Sequence, residues 1–255
     1  MNQPTDARDR RQKRRDATAA EIKAAARAQL VAYGPNGISL RGIAREVGLS
    51  APAVYRYFPS LEALIVGLCV DLYDELREFL VAQAQQHDNE LAKLVVAARA
   101  FRAWAVEHRP EFALMFASLV PGAVLTKPGC HSADIDPEAE PYASMLRFSQ
   151  TFGHLITRVF QQPEEERGFP IRMPALPPMT DALRAEVQRC AEAIGIEAPI
   201  EFAYAFHSYW VRLYGLVAME VFGQLPVIQE AEAHFDAELS EMASRLGVPL
   251  GVLEF

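Results

Sequence analysis

Cysteine is scarce in this chain: three residues in 255, Cys69, Cys130 and Cys190, an odd number set far apart. That spacing excludes a disulfide framework, and without a C-x-x-C pair it suggests no zinc site. Cys69 and Cys190 fall within helical patterns and are expected to be small core residues. Long uninterrupted apolar runs are missing as well. Every apolar-rich window of membrane-spanning length carries charges or polar interruptions, so no membrane partner is expected. Met1–Arg15 is polar and lacks the apolar centre of an export signal, which gives a cytoplasmic expectation.

Catalytic signatures are equally lacking. There is no Gly-x-Ser-x-Gly elbow, no phosphate-cradling Gly-rich loop and no dinucleotide fingerprint. His87, His108, His154, His207 and His234 show no metal-binding helical spacing. Cys130-His131 with Asp134 and Asp136 is a short run of a common kind, and Glu164-Glu165-Glu166 reads as solvated charge. The chain is therefore expected to be no enzyme and to carry no metal or cofactor. An enzyme would instead need a polar pocket with paired titratable groups.

What is present is an apolar half, 51% of residues, ample for a core, and a lopsided charge. The net charge is −8, yet residues 1–60 hold 11 Lys or Arg against 5 Asp or Glu. The remaining residues are strongly acidic. A protein with one basic end offers phosphates one surface and repels them elsewhere, although a solvated basic tail would show the same asymmetry.

Alternation of strand type is nearly absent, no internal repeat is visible, and the ordered parts read as helix, so the fold class expected is all-α. Residues 1–16 form a basic flexible arm in this reading, residues 17–60 a DNA-binding domain, and residues 61–255 a larger helical domain for regulation and dimerisation. Thr18-Ala-Ala-Glu21 has the form of a capping box, so a helix is under way by there, and its apolar face runs through Ile22, Ala25, Ala26, Leu30 and Val31 until Gly34-Pro35 stops it. Ser60 can cap a long helix with a buried stripe at Leu61, Leu64, Ile65, Leu68, Leu72, Leu76 and Phe79. Further helices are expected near 89–108, 111–119, 138–160, 180–194, 200–222 and 227–246. Loops are expected at 121–137 and at 162–178, the latter with five prolines.

Residues 39–57 have the chemistry of a helix-turn-helix. Ser39 is an N-cap for a helix whose Ile43, Ala44 and Val47 face inward. Gly48 sits where the helix must end in a left-handed residue, Ser50 caps the next helix, and Pro52 falls in its first turn. The second helix would enter the major groove by its first residues. These are Ser50, Ala51, Pro52 and Ala53, small enough for close approach and for contact with a thymine methyl. Tyr55 and Tyr57 can direct hydroxyls at phosphates or serve as core aromatics, and Arg41 can reach guanine.

The segment from Gly37 to Leu64, GISLRGIAREVGLSAPAVYRYFPSLEAL, resembles the DNA-binding domain of the TetR family of transcriptional regulators. The resemblance implies that Ser39 and Arg41 contact backbone and base, that Ser50, Ala51, Pro52 and Ala53 face the groove, and that Tyr55 and Tyr57 contact phosphate. Leu61 departs from the pattern, standing where the family has a lysine; this removes a phosphate contact and leans affinity on the arginines of the arm. The stretch from Tyr209 to Leu225 is similar to a C-terminal type of the same family with a Trp-x-x-x-His-Gly run, Tyr214 replacing the His.

The resemblance implies two subunits and a small-molecule pocket, hence double-stranded DNA, a second copy of the chain and an unidentified effector as partners. The function expected is a repressor bound to a palindromic operator and released by a lipophilic effector. A helical adaptor with a decayed head is the alternative that Leu61 motivates. The helix 200–222 is apolar over more than one stripe, so Phe206, Tyr209, Trp210, Leu213 and Val217 are the expected dimer contacts in a four-helix bundle with the last helix. Aromatic and apolar residues Phe101, Trp104, Phe112, Met115, Phe116, Phe148 and Phe152, with His154, are the expected pocket, with ordinary helix packing as the alternative for each. The helix from Ser60 is the expected lever between effector and DNA.

Overall fold

A computed structural model of the chain describes residues 4–117, 136 and 138–249. Its described residues form helices without strands: α1 (Pro4–Tyr33), α2 (Leu40–Glu46), α3 (Ala51–Tyr55), α4 (Leu61–Ala84), α5 (Glu90–Glu107), α6 (Arg109–Ala117), α7 (Tyr142–Gln161), α8 (Glu164–Arg167), α9 (Asp181–Ala193), α10 (Ile200–Val221) and α11 (Ala231–Arg245). The all-α class expected from the missing alternation is the class observed. The loop expected at 121–137 and the Cys130-His131 run lie outside the described residues, apart from Asp136.

Packing divides the chain into two compact units, Met1–Tyr73 with Pro110–Ser144, and Asp74–Arg109 with Met145–Phe255. The division falls inside α4 and not at residue 60. The first turns of α4 are tied to the first unit: Lys23 Nζ donates to Asp71 Oδ1 at 2.6 Å, and Gly67 lies against the Phe58 ring. Tyr73 closes that unit's core, its hydroxyl donating to the Met115 carbonyl at 3.1 Å and its ring meeting Phe116 edge-on at 5.6 Å.

The basic arm is corrected by α1, which is helical from Pro4 onward. Thr18 does not cap a helix start; its hydroxyl donates back to the Arg14 carbonyl at 3.0 Å, as a mid-helix threonine does. The cause is local: from Thr5 to Tyr33 there is no Gly or Pro, the run is rich in Ala, Arg, Lys and Gln, and Gln12 donates to Asp16 across one turn at 2.8 Å. Ile22, Ala26 and Leu30 are fully buried on one face, whereas Val31, expected on that face, is 56% exposed. Gly34 ends the helix with φ 75°.

In the second unit α10 is central, packed against α5, α9 and α11. Arg102 of α5 forks onto Glu220 of α10, with Nε to Oε2 at 2.8 Å and Nη2 to Oε1 at 2.7 Å, both side chains largely buried. The proline-rich stretch after α7 is not a free loop. Arg167 donates to the carbonyls of Val159, Gln162 and Phe169, which caps α7 and turns Phe169 inward to 4% exposure.

Cysteine placement divides as follows. Cys69 is buried on α4, where burial pushes its thiol up to about 12. Cys190, expected in the core, is exposed on α9, because the buried face of that helix is the one carrying Val187 and Ala191. Its thiol is still raised, first by partial burial and then by the Glu186 carboxylate, with Arg189 opposing. In a Cys130→Ser background at pH 8, iodoacetamide should therefore label Cys190 alone, with a rate-against-pH midpoint above the ordinary thiol range. Labelling of Cys69 without denaturant would contradict this placement. Arg102→Met should cost about 3–5 kcal/mol in urea unfolding by stranding a buried carboxylate, and adding Glu220→Leu should recover most of the loss. Equal instability of the single and double variants would show that the pair is not what Glu220 requires.

Candidate functional site

The helix-turn-helix is assembled by short-range bonds. Ser39 caps α2 by accepting from the Gly42 N–H at 3.0 Å. Gln29, buried on α1, accepts from the Ser39 N–H at 3.0 Å and donates to Glu46 at 3.3 Å, which pins both ends of α2 to α1. A Cβ at position 42 would lie 2.9 Å from the Gln29 amide nitrogen, so any larger residue there would push the Gln29 side chain from its place. Gly48 adopts φ 68° and the Leu49 N–H reaches the Ala44 carbonyl at 2.9 Å, a left-handed end to α2. Ile43 and Val54 are fully buried and lock α2 to α3.

Ser50 precedes α3 but its side chain makes no cap; its carbonyl accepts from Ala53 and Val54. Pro52 stands in the first turn, where its missing N–H breaks no bond. Ser39, Arg41, Ser50, Pro52 and Tyr55 are exposed, and Ala51, Ala53 and Tyr57 are half-buried. Tyr55, at 50% exposure, is not a core ring. Arg45 and Arg56 are also exposed on this head, at positions outside the helix-turn-helix motif residues. Leu61, in the first turn of α4, is half-buried, and the α4 start is capped by the Ser60 hydroxyl, which accepts from Ala63 at 3.0 Å.

The expected pocket residues do not come together. Phe112, Met115 and Phe116 belong to the first unit, where Phe112 and Phe116 pack at 4.8 Å. Trp104 is buried and stacked on His108 at 4.7 Å. His154 is exposed and lines a polar groove with Arg77 and Arg158. Phe101, Phe148 and Phe152 do cluster, around Trp210: the Trp210 ring lies 5.3 Å from Phe101, 5.3 Å from Phe152 and 6.0 Å from Phe148. Beside this cluster is a cavity of about 110 Å³ within the second unit. It is walled by Leu91, Val95 and Ala98 of α5, Phe152 and Ile156 of α7, Phe202 of α10, and Phe235 and Met242 of α11, with Phe169 and Ile171 supplied by the proline-rich segment.

Four of the five expected dimer contacts, Phe206, Tyr209, Trp210 and Leu213, line this cavity, and Val217 is fully buried. Within its unit α10 packs on α5, α9 and α11, while Phe206, Tyr209, Trp210 and Leu213 stay half-buried. Val211 and Met219 on α10, and Phe222 just past its end, are exposed at 55%, 38% and 42%. Tyr209 is the cavity's one hydroxyl-bearing residue, and burial pushes its phenol up. Such a cavity can take up an apolar molecule; it has no pair of groups suited to acid–base work. Among the described residues no three metal-ligating side chains gather, and no helix is long and apolar enough to cross a membrane.

Comparison with known proteins agrees with both halves of this arrangement. Residues 22–68 match the family described as bacterial regulatory proteins, tetR family, and residues 94–242 match the tetracyclin repressor-like C-terminal domain. HTH-type transcriptional regulators Rv1816 of Mycobacterium tuberculosis and Mb1846 of Mycobacterium bovis are each 40% identical over 120 residues. Those alignments cover 43% of this chain and 49% of each relative, so the chain spans about half the length of the curated relatives it matches. The crystal structure of SCO4313, a protein given a regulatory role, superposes with a TM-score of 0.66 at 25% identity over 91% of this chain and 98% of that one. A protein of unknown function from Rhodococcus sp. RHA1 shares the fold at a TM-score of 0.50 and 20% identity, over 86% of this chain and 92% of its own. With its head and most of its body both matched, the chain belongs to the TetR family of DNA-binding transcriptional regulators, a family of regulators and not of enzymes.

Proposed function

We propose that the protein is a repressor that binds a roughly palindromic operator as a homodimer and leaves it when a small lipophilic effector fills the cavity of the second unit. The observation that carries the reading is the head itself: α3 offers a small-residue front at Ala51, Pro52 and Ala53, flanked by exposed Arg41 and Tyr55 on a scaffold fixed by Gln29. Small residues admit the helix to the groove, Arg41 reads a base, and Tyr55 and Tyr57 hold phosphate. Ser39 and Ser50 add hydroxyls at the two helix starts. A dimer clamped on a promoter represses without needing a surface for the polymerase.

The exposed row of Val211 and Met219 on α10 with Phe222 at its end supports dimerisation through that helix and α11, whose Ala233 and Ala237 are also exposed and small enough for close helix packing. Two heads would then meet successive major grooves about 34–36 Å apart. The effector acts only through a difference in affinity between the DNA-bound and released forms, and α4, continuous from Leu61 to Ala84, is the proposed carrier of that difference. The half-buried Leu61, which has no donor for phosphate, favours the second reading, a dimeric ligand-binding adaptor with weak DNA affinity.

Selection of bound fragments from genomic DNA, followed by anisotropy titration at two salt concentrations, separates the two readings. A palindromic site bound tightly by the wild type is expected; absence of any enriched site would leave the adaptor. On the selected site, Tyr55→Ala should weaken binding to all sequences alike, whereas Arg41→Ala should relax preference at one base position by about 1–3 kcal/mol. Uniform loss in both variants would refute that division of roles. Deleting residues 1–15 should flatten the dependence of affinity on salt, and an unchanged slope would show that the arm does not engage phosphate.

A further inference from the structure

Beside the first cavity lies a second of about 140 Å³, between α7, α9 and α10. The two are neighbours: the rings of Phe152, Phe206 and Trp210 line both. Phe206 and Trp210 are only half-buried although they belong to the interior of the unit, because each faces open volume. Rings whose faces border voids have lost packing partners on those sides, so turning them costs less than in a filled core. The partition thus joins a buried ring, Phe152, to two half-buried ones, Phe206 and Trp210, that border the open volume.

The chambers differ in chemistry. The first is walled by hydrocarbon and rings, with Tyr209 as its one hydroxyl-bearing residue. The second adds Ser149, Cys190 and His207, and it opens outward, since Cys190 and His207 are exposed. Ser149 donates weakly to the Met145 sulfur at 3.4 Å and keeps its oxygen lone pairs for an incoming donor. No Lys, Arg, Asp or Glu lines either chamber. A buried ionised group would have no counter-ion there.

We infer that the effector site is two-chambered and takes one uncharged amphipathic molecule, with its hydrocarbon tail in the inner chamber and a hydrogen-bonding head in the outer chamber beside Ser149 and His207. This rests on the effector reading above and narrows its ligand class. The inner chamber alone, at about 110 Å³, is smaller than the roughly 150 Å³ engineered cavity that accommodates benzene. A longer tail therefore needs the partition to open.

The test is calorimetric titration of the full chain with straight-chain 1-alkanols from four to ten carbons and with alkanoates of equal length. Alkanol affinity should rise about fourfold per methylene, the value of burying one CH2, and should continue rising past the length that fills one chamber. Each alkanol should outbind its alkanoate at least tenfold. His207 is exposed and its replacement leaves the core intact, so His207→Ala combined with Ser149→Ala should cut the advantage of the alcohol head to threefold or less. Ala203→Leu, which narrows only the outer chamber, should shorten the series. Tight binding of short alkanols with no head preference, or a preference surviving His207→Ala/Ser149→Ala, would overturn the two-chamber site and leave the lipophilic effector standing. Failure of every alkanol to bind would remove both.

Discussion

The buried fork between Arg102 and Glu220 is the contact on which the second unit's geometry depends. Desolvating two charges is expensive, and only paired hydrogen bonds of good geometry offset it, so α5 and α10 can meet in one register alone. Arg109 extends the same constraint by donating to the Val221 carbonyl at 2.9 Å, which caps the end of α10. With α10 fixed along its length, Phe101 of α5 is brought to Trp210. On the other side, Gly153 of α7 permits an approach to the Ile194 carbonyl so close that a Cβ would stand 1.9 Å from that oxygen. Thr157 then accepts the Glu197 N–H at 3.1 Å and donates to the Gly195 carbonyl at 3.2 Å, fastening the turn between α9 and α10.

Much of the head was legible because its determinants act over a few residues. Gly48, Ser39 and the buried Ile43 encode a turn whose geometry needs no distant partner. What could not be read there was Gln29, whose bond to Ser39 and Glu46 joins segments ten and seventeen residues away. The start of α1 is hidden for the opposite reason. The charged run before Thr18 has the look of a flexible arm, although its residues favour a helix and carry one from Pro4 onward.

The body resisted reading because periodicity tells which face of a helix is apolar but not what covers it. Phe112 and Phe101 look alike in sequence and belong to different cores. The breadth of α10 has two explanations, a partner or three neighbours, and its own unit accounts for only part of it: Phe206, Tyr209, Trp210 and Leu213 line the cavity and stay half-buried. Phe169 and Ile171 gave no periodic signal, being held inward by Arg167 in a stretch without a long helix.

The unbroken course of α1 changes what the arm is. Arg8, Arg11 and Arg15 lie within about 60° of one another on a helix of 3.6 residues per turn, and Arg10, Lys13 and Arg14 take the opposite side, so the helix carries basic charge all round its axis. A tether scatters its charge through a volume, but a rod holds it along one line. Adding or removing one residue between Asp16 and the buried Ile22 would turn this basic collar by about 100° and shift it about 1.5 Å, and a collar charged on every side is little changed by the turn. The segment joining arm to head is thus expected to tolerate a one-residue change of length, whereas a proline there would break the rod.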